Sequence, residues 1–283
     1  MDYANADALV DTGWLADRLG DPGIRIVDAT WYLPGVDRSG RAEYAERHIP
    51  GAVYWDLDEI ADPHDPLPHM LPDAPTFAGH MARLGIGDGL RVVVYDTVGS
   101  MTAPRVWWML RSFGHDDVAV LDGGLAKWLA EERPTNADAP AQGAGQFTAT
   151  VRAHMVRDLA AIRANLNSAA EQVLDARGAG RFSGVEPEPR PNCRSGHIPG
   201  SLNLPYDGLI DGETKTFLPA AALAERFTGA GLEPSRPVVT TCGSGVTACV
   251  LALGLHLLGR DDVAVYDGSW SEWGTRDDTP VET

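Results

Sequence analysis

The chain has 283 residues, of which 44% are hydrophobic and 22% are charged, so we expect a globular protein large enough for two domains of about 140 residues. Its formal net charge of −17 argues against nucleic acid or an anionic membrane as a partner. No apolar run approaches the ~20 residues of a membrane helix, and the acidic N-terminal segment resembles neither a signal peptide nor an organelle presequence. The expected location is therefore cytoplasmic.

Short β-branched runs alternate with helical patterns along the chain, which is typical of an α/β fold with a mainly parallel sheet. In the first half the strand candidates are 25–29, 92–96 and 118–121, and the helix candidates are 76–84, 104–113 and 125–131. In the second half the strand candidates are 173–176, 238–241 and 263–267, and the helix candidates are 157–168, 220–229 and 248–258. The spacing in and just before the last helix predicts one apolar face, made of Val246, Cys249, Val250, Leu253 and Leu257.

The two halves repeat each other. His-Ile-Pro-Gly begins at His48 and again at His197, and Asp28 and Asp175 are each the last residue but one of a strand candidate. Asp-Asp-Val-Ala-Val occurs twice, each time leading to Asp-Gly, at Asp122 and at Asp267. These landmarks are 149, 147 and 145 residues apart, and so steady a spacing indicates two copies of one domain.

A segment rich in Pro, Gly and small residues separates the copies, from about 133 to 145. We therefore predict an N-terminal domain over 1–135, a linker over 136–152 and a C-terminal domain over 153–283.

A short loop, Cys242-Gly-Ser-Gly-Val-Thr-Ala248, follows the buried strand candidate 238–241 and leads into a helix. Ligands of open α/β sheets bind at this end of a strand. Loop amides and the positive end of the helix favour the thiolate form of a cysteine, so Cys242 is a candidate nucleophile. The alternative is a buried cysteine that ends a strand, but two glycines and two hydroxyl residues are poor material for a core.

The duplication supplies an internal control for that candidate. In the first half the position of Cys242 is taken by Asp96, so that copy has the scaffold without the nucleophile. Features that both copies share are expected to be structural, and His48 and His197 fall in this group. Features found only in the second copy are catalytic candidates.

The other two cysteines carry no predicted chemistry. Cys249 lies on the apolar helix face and is expected in the core, and Cys193 is expected to be a partly exposed free thiol. Three cysteines form no disulfide framework and no metal-ligand spacing, so neither a structural metal nor a cofactor is expected.

Three arginines follow the strand candidate 173–176 in a Gly- and Pro-rich segment, at Arg177, Arg181 and Arg190. The planar guanidinium suits a carboxylate or another oxyanion. The alternative is that these arginines pair with Glu186 and Glu188 on a solvated loop.

The paired His-Ile-Pro-Gly motifs, the cysteine loop in the second copy alone, and Asp-Gly-Ser-Trp-Ser-Glu-Trp at 267–273 together resemble a tandem-domain rhodanese-type sulfurtransferase. The resemblance covers nearly the whole chain. It implies two tandem rhodanese-like domains, each a mainly parallel sheet flanked by helices. The branch that uses thiosulfate typically carries Arg and Lys directly after the cysteine; here Gly243 and Ser244 stand there, as in the 3-mercaptopyruvate sulfurtransferase branch.

The resemblance implies a role for each matching residue. Cys242 matches the nucleophile, and Arg181 and Arg190 match the two arginines that bind the substrate carboxylate. Ser244, His69 and Asp58 match a Ser-His-Asp group, and this would put the site between the domains. The remaining loop residues, whose amides would hold the persulfide, are Gly243, Gly245, Val246 and Thr247.

The reaction implied is transfer of sulfur from 3-mercaptopyruvate, a small-molecule donor, through a Cys242 persulfide to a thiol acceptor such as thioredoxin, or to cyanide. Three alternatives remain open: a thiosulfate sulfurtransferase, a non-catalytic sulfur-carrier module, and a cysteine phosphatase. The phosphatase is weak, because its phosphate loop needs an arginine six residues after the cysteine, where this chain has Ala248.

Overall fold

The structure is a computed structural model, and it describes residues 2–139 and 145–283. In those residues each half forms one five-stranded sheet in which every strand pair is parallel. The elements of the first half are β1 (Leu9–Val10), α1 (Thr12–Ala16), β2 (Ile24–Asp28), α2 (Gly40–Glu46), β3 (Val53–Tyr54), α3 (Ala74–Arg83), β4 (Arg91–Tyr95), α4 (Ala103–Ser112), β5 (Val118–Leu121) and α5 (Gly124–Ala130).

The elements of the second half are β6 (Val156–Arg157), α6 (Leu159–Ser168), β7 (Gln172–Asp175), α7 (Ala179–Phe182), β8 (Leu202–Asn203), α8 (Ala220–Gly229), β9 (Val238–Thr241), α9 (Ala248–Leu257), β10 (Val263–Tyr266) and α10 (Ser269–Trp273). The strand order is β1-β5-β4-β2-β3 in the first sheet and β6-β10-β9-β7-β8 in the second. The predicted α/β class, with parallel sheets flanked by helices, is therefore confirmed.

The central strands are buried on both faces. In β4, Val92 and Val94 join the larger apolar cluster, whereas Val93 and Tyr95 join a smaller one on the opposite face. Successive side chains of a strand point to opposite faces, so a run that is apolar throughout needs helices on both sides. This explains why these runs were recognisable in the sequence as buried strands.

Every predicted strand is present, with ends that differ by at most one residue, and the edge strands were not predicted. Those strands, β1, β3, β6 and β8, are each two residues long, which is too short to show a period in the sequence. The prediction of a helix over 157–168 began too early, because Arg157 pairs with Tyr266 in the sheet. Asp158 begins α6 instead, accepting a hydrogen bond from the Ala161 amide at 2.8 Å.

The apolar face predicted for α9 is buried, and the rest of the helix is almost entirely buried as well. Every residue of this helix is buried except His256, which is partly buried. The helix packs against its own sheet and also against α4 of the first half, and one apolar cluster extends across both halves. The two halves therefore share a core along α4 and α9.

The predicted domain boundaries, 1–135 and 153–283, stay a prediction. The last helix of the first half ends at Ala130, and the second sheet begins at Val156. Residues 140–144 of the predicted linker lie outside the described residues. No helix in the described ranges is long and apolar enough to cross a membrane.

Candidate active site

Cys242 lies directly after β9, the central strand of the second sheet, and the residue is 2% exposed. Its amide donates a hydrogen bond to Ser269 Oγ at 3.2 Å, and its carbonyl accepts one from the Trp270 amide at 3.0 Å. The cysteine backbone is thus held by the start of α10, which follows the neighbouring strand β10. The sulfur sits at the carboxyl edge of the sheet, where parallel α/β sheets bind ligands.

The loop after the cysteine needs its glycines for space. A Cβ atom at Gly243 would lie 3.2 Å from Arg181 Nη2 and 3.6 Å from Arg190 Nη1. Gly245 has φ +75°, and a Cβ there would lie 2.9 Å from the Asp267 carbonyl oxygen. Larger residues would therefore displace the arginines or strain the turn.

The equivalent loop of the first half is filled by its own carboxylate. Asp96 stands where Cys242 stands, and its Oδ2 accepts hydrogen bonds from the amides of Thr102 at 2.8 Å and Ala103 at 2.9 Å. An anion thus already occupies this turn, whereas the turn of the second half presents a thiol.

A cavity of about 70 Å³ opens above Cys242, between the two halves. Its walls include Trp31, Leu33 and Met101 from the first half. The second half contributes Arg181, Arg190 and the cysteine loop, including Gly243, Ser244, Val246 and Thr247. The space suits a small molecule, and its mixed walls show that neither half forms the cavity alone.

Ser244, His69 and Asp58 form a hydrogen-bonded chain across the two halves. His69 Nδ1 lies 3.0 Å from Ser244 Oγ, and His69 Nε2 lies 3.0 Å from Asp58 Oδ1. The other Asp58 oxygen accepts a hydrogen bond from Trp31 Nε1 at 2.9 Å, and the Trp31 ring meets the imidazole edge to face at 4.9 Å. These contacts fix the orientation of the imidazole plane.

The chain of hydrogen bonds also determines which nitrogen of His69 carries the proton. The carboxylate of Asp58 can only accept, so Nε2 donates to it and the lone pair of Nδ1 faces the Ser244 hydroxyl. Burial lowers the pKa of His69, with the Asp58 hydrogen bond opposing it, and the hydrogen bond from His69 lowers the pKa of Asp58. At neutral pH the arrangement is a neutral imidazole that can accept the Ser244 proton.

Arg190 is the cation available to an anionic ligand. Its Nη2 donates to Ser244 Oγ at 3.2 Å, and in the described part of the chain no carboxylate oxygen lies within 4.0 Å of it. Burial lowers the pKa of its guanidinium, as expected for a partly desolvated cation without a counter-ion. An anion bound at this position would relieve that cost.

Arg181, by contrast, is already engaged. Its Nε donates to Glu188 Oε1 at 3.1 Å, and the same carboxylate pairs with the buried Arg177, which also pairs with Asp175. The alternative that loop arginines pair with glutamates is therefore right in its pairing for Arg177 and Arg181, with Glu188 as the partner, but the Arg177 and Glu188 side chains are buried and not solvated. It does not hold for Arg190.

Nine of the ten predicted site residues lie at the cavity or are hydrogen-bonded to a residue that does. Gly245 is the exception, because its carbonyl faces away and accepts hydrogen bonds from Arg105 at 3.3 Å and from Cys249 Sγ at 3.2 Å. His48 and His197 stay outside the site, stacked on Tyr44 and Phe182 respectively.

Sequence reasoning gave no role to several residues that hold the site together: Trp31, Arg105, Asp267 and Ser269. Most of their contacts cross between the halves or between distant loops, so no local pattern announces them. A comparison of the two copies could have pointed to Arg105. It is the third residue of α4, and the equivalent third residue of α9 is Val250, so the first copy has an arginine where the second has an apolar residue. In residues 2–139 and 145–283 no group of three or more His, Cys, Asp or Glu side chains is arranged to hold a metal.

A family model described as the rhodanese-like domain matches the chain twice, over residues 11–131 and 158–276. The chain belongs to this family, and the predicted tandem arrangement is confirmed.

Its relatives include human 3-mercaptopyruvate sulfurtransferase, which is 44% identical over 95% of this chain and 92% of the human one. The thiosulfate sulfurtransferase of Cricetulus griseus is 43% identical, over 94% of this chain and 91% of its own. Among solved structures, the crystal structure of the 3-mercaptopyruvate sulfotransferase SseA from Escherichia coli superposes with a TM-score of 0.85. It is 38% identical, and the match covers 93% of this chain and 98% of that one.

Proposed function

We propose that this protein is a 3-mercaptopyruvate sulfurtransferase. The single observation that carries the proposal is the pairing of Arg190 with the Ser244 hydroxyl at 3.2 Å, in the cavity that contains Cys242. It brings together a nucleophile, a proton relay and one uncompensated cation. These are the groups needed for attack on the sulfur of a small 2-oxo acid.

The first half of the reaction loads the enzyme with sulfur. The donor carboxylate binds Arg190, with Arg181 at the rim, and the Cys242 thiolate attacks the donor sulfur. The sulfur–sulfur bond forms as the bond from carbon to sulfur breaks, and the electron pair leaves as the enolate of pyruvate. The proton of the donor thiol passes through Ser244 and His69 to the enolate carbon.

The second step of the reaction removes the outer sulfur from the persulfide. Amides of the loop from Gly243 to Thr247 hold its negative charge. A thiol acceptor attacks the outer sulfur and the Cys242 thiolate leaves, so the enzyme returns to its starting state. A dithiol protein such as a reduced thioredoxin, a small thiol, or cyanide in the test tube fits this step.

The charges around the cavity favour a monoanionic donor over thiosulfate, which is a dianion. Arg177, Arg181 and Arg190 supply three positive charges, and Asp175 and Glu188 return two negative charges. Among these arginines and the carboxylates that pair with them, the balance is one positive charge, located on Arg190. The rival function is nonetheless present among the relatives, since one of them is named a thiosulfate sulfurtransferase.

The deciding experiment compares kcat/KM for 3-mercaptopyruvate and thiosulfate on one preparation, with cyanide as the common acceptor. We expect 3-mercaptopyruvate to be the better donor, and the reverse order would establish the rival. Cys242→Ser abolishes turnover of both donors, whereas the matched control Cys249→Ala, at a buried cysteine in α9, retains it. Turnover by Cys242→Ser would sink both assignments, and failure of the wild type with every small donor would favour the sulfur-carrier module.

We also propose a cytoplasmic location. All three cysteines are free thiols, and a reducing compartment maintains thiols in this state.

A further inference from the structure

Arg105 is a fully buried arginine of α4, and its guanidinium lies between the two loops that make the site. Its Nη1 donates to the carbonyl of Gly245 in the cysteine loop at 3.3 Å. Its Nη2 donates to the carbonyl of His69, the residue that carries the imidazole. One side chain thus ties the nucleophile's loop to the loop that supplies its base.

Asp267 completes this bridge. One carboxylate oxygen forms an ion pair with Arg105 Nη1 at 2.7 Å, and the other accepts a hydrogen bond from the Leu71 amide at 2.7 Å. The carbonyl of His69 and the amide of Leu71 are therefore both anchored by one buried ion pair. His69 itself has φ +62°, a conformation that is costly outside glycine and persists only when its surroundings impose it.

The other half of the molecule contains the same device without the arginine. Asp122 corresponds to Asp267, and it accepts a hydrogen bond from the Phe217 amide at 2.8 Å. Lys215, two residues before Phe217, has φ +61° and corresponds to His69. The place of Arg105 is taken by Val250. The carboxylate-to-amide contact is thus common to both halves, and the arginine is present only where the loop bears His69.

We infer that Arg105 is a positioning residue for the sulfur-transfer reaction, acting with Asp267 to hold His69 against Ser244. The inference rests on the proposed function and adds a role for a residue that does not touch the donor. Misplacing a catalytic group by about 1 Å can cost about 100-fold in rate. Loss of the bridge is therefore expected to lower kcat by 10-fold to 100-fold, with little change in the KM for the donor.

The test is a double-mutant cycle between Arg105→Gln and His69→Ala. If Arg105 acts through His69, the two kcat losses do not multiply, and Arg105→Gln has no further effect once the imidazole is absent. Losses that multiply, or an unchanged kcat in Arg105→Gln, would overturn the inference. Because Arg105→Gln leaves Asp267 without its partner and can fail to fold, Arg105→Gln with Asp267→Asn is made alongside it, so that both buried charges are removed together.

Asp122→Asn is the matched control, since it changes the same contact on the half that lacks the base. It is expected to keep the wild-type kcat, and a loss equal to that of the Arg105 variants would show a general effect of the domain interface. A readout independent of turnover is the NMR signal of the His69 Nε2 proton held by Asp58. It should broaden or vanish in the Arg105 variants and persist in Asp122→Asn. An inactive wild type would reject the proposed function, whereas an unchanged proton signal would reject the role of Arg105.

Discussion

Asp122 is a buried carboxylate whose ionisation should cost this protein stability, and the cost can be worked out from the structure. The residue is 4% exposed, and the one hydrogen bond of its carboxylate to a described residue is accepted from the Phe217 amide. In the described part of the chain no lysine or arginine nitrogen lies within 4.0 Å of it. Burial raises its pKa from 3.8 to about 6.

The sign follows from the order of the two pKa values. The folded-state pKa is the higher one, so the folded protein binds more protons than the unfolded chain between pH 3.8 and about 6. Stability therefore falls as the pH rises through this window. At about 1.4 kcal/mol per pH unit, the full cost is about 3 kcal/mol above the window, and about 2 kcal/mol of it develops between pH 4.5 and 7.5.

Asp122→Asn removes that dependence, because the amide oxygen still accepts the Phe217 hydrogen bond and carries no charge. The measurement is the free energy of unfolding by urea, followed by tryptophan fluorescence, for both proteins at pH 4.5 and 7.5. A difference in the free energy of unfolding that is the same at both pH values does not affect the test, because only the change with pH is compared. The variant should gain about 2 kcal/mol relative to the wild type as the pH is raised.

The control is Asp37→Asn, which changes the net charge equally at an exposed loop residue. Its free energy of unfolding should change between the two pH values as that of the wild type does. If the free energy of unfolding of Asp122→Asn also changes with pH as that of the wild type does, burial does not raise the pKa of Asp122 and the prediction is wrong.

Two further predictions concern the reaction. Arg190→Gln should raise the KM for 3-mercaptopyruvate by about 10-fold to 100-fold, since a lost charge-assisted hydrogen bond costs about 1.5–3 kcal/mol. Arg181→Gln should raise this KM less, because Arg181 is already paired with Glu188. Equal KM increases for the two variants in steady-state assays would contradict the different roles given to the two arginines. The acid limb of the pH profile of kcat/KM should fall below pH 6.5, because burial lowers the pKa of His69 and the base must be neutral. Asp58→Asn should move that limb to still lower pH, since the Asp58 hydrogen bond raises the pKa of His69, and a limb that moves to higher pH would exclude His69 as its source.

The central strands and the long helices could be read from the sequence because burial leaves a local pattern. Val92 to Val94 and Val238 to Thr241 are continuous β-branched runs, and such runs are typical of strands covered on both faces. The two-residue edge strands have no period to detect. The full burial of α9 was not predicted, because its second covering comes from α4, about 145 positions earlier in the chain.

For the arginines, too, the sequence indicates one part of the arrangement and the tertiary structure another. Their residue type and setting indicated an anion site, but the sequence gives Arg181 and Arg190 equal standing. Only the folded loop shows that Glu188 binds Arg177 and Arg181, while Arg190 has no carboxylate oxygen within 4.0 Å in the described residues. Ion pairs depend on distances between side chains, and spacing along a Pro-rich loop does not set those distances.

By itself, then, the sequence determined the duplication, the parallel α/β units and the position of Cys242 at a strand end. Each of these can be recognised from short runs of consecutive residues. The tertiary structure decided how the site is completed. His69 reaches Ser244 across 175 positions, and Arg105 reaches Gly245 across 140. The physical reason is that these contacts exist only when α4 packs against α9, and that packing brings the cysteine loop of one half to His69 of the other.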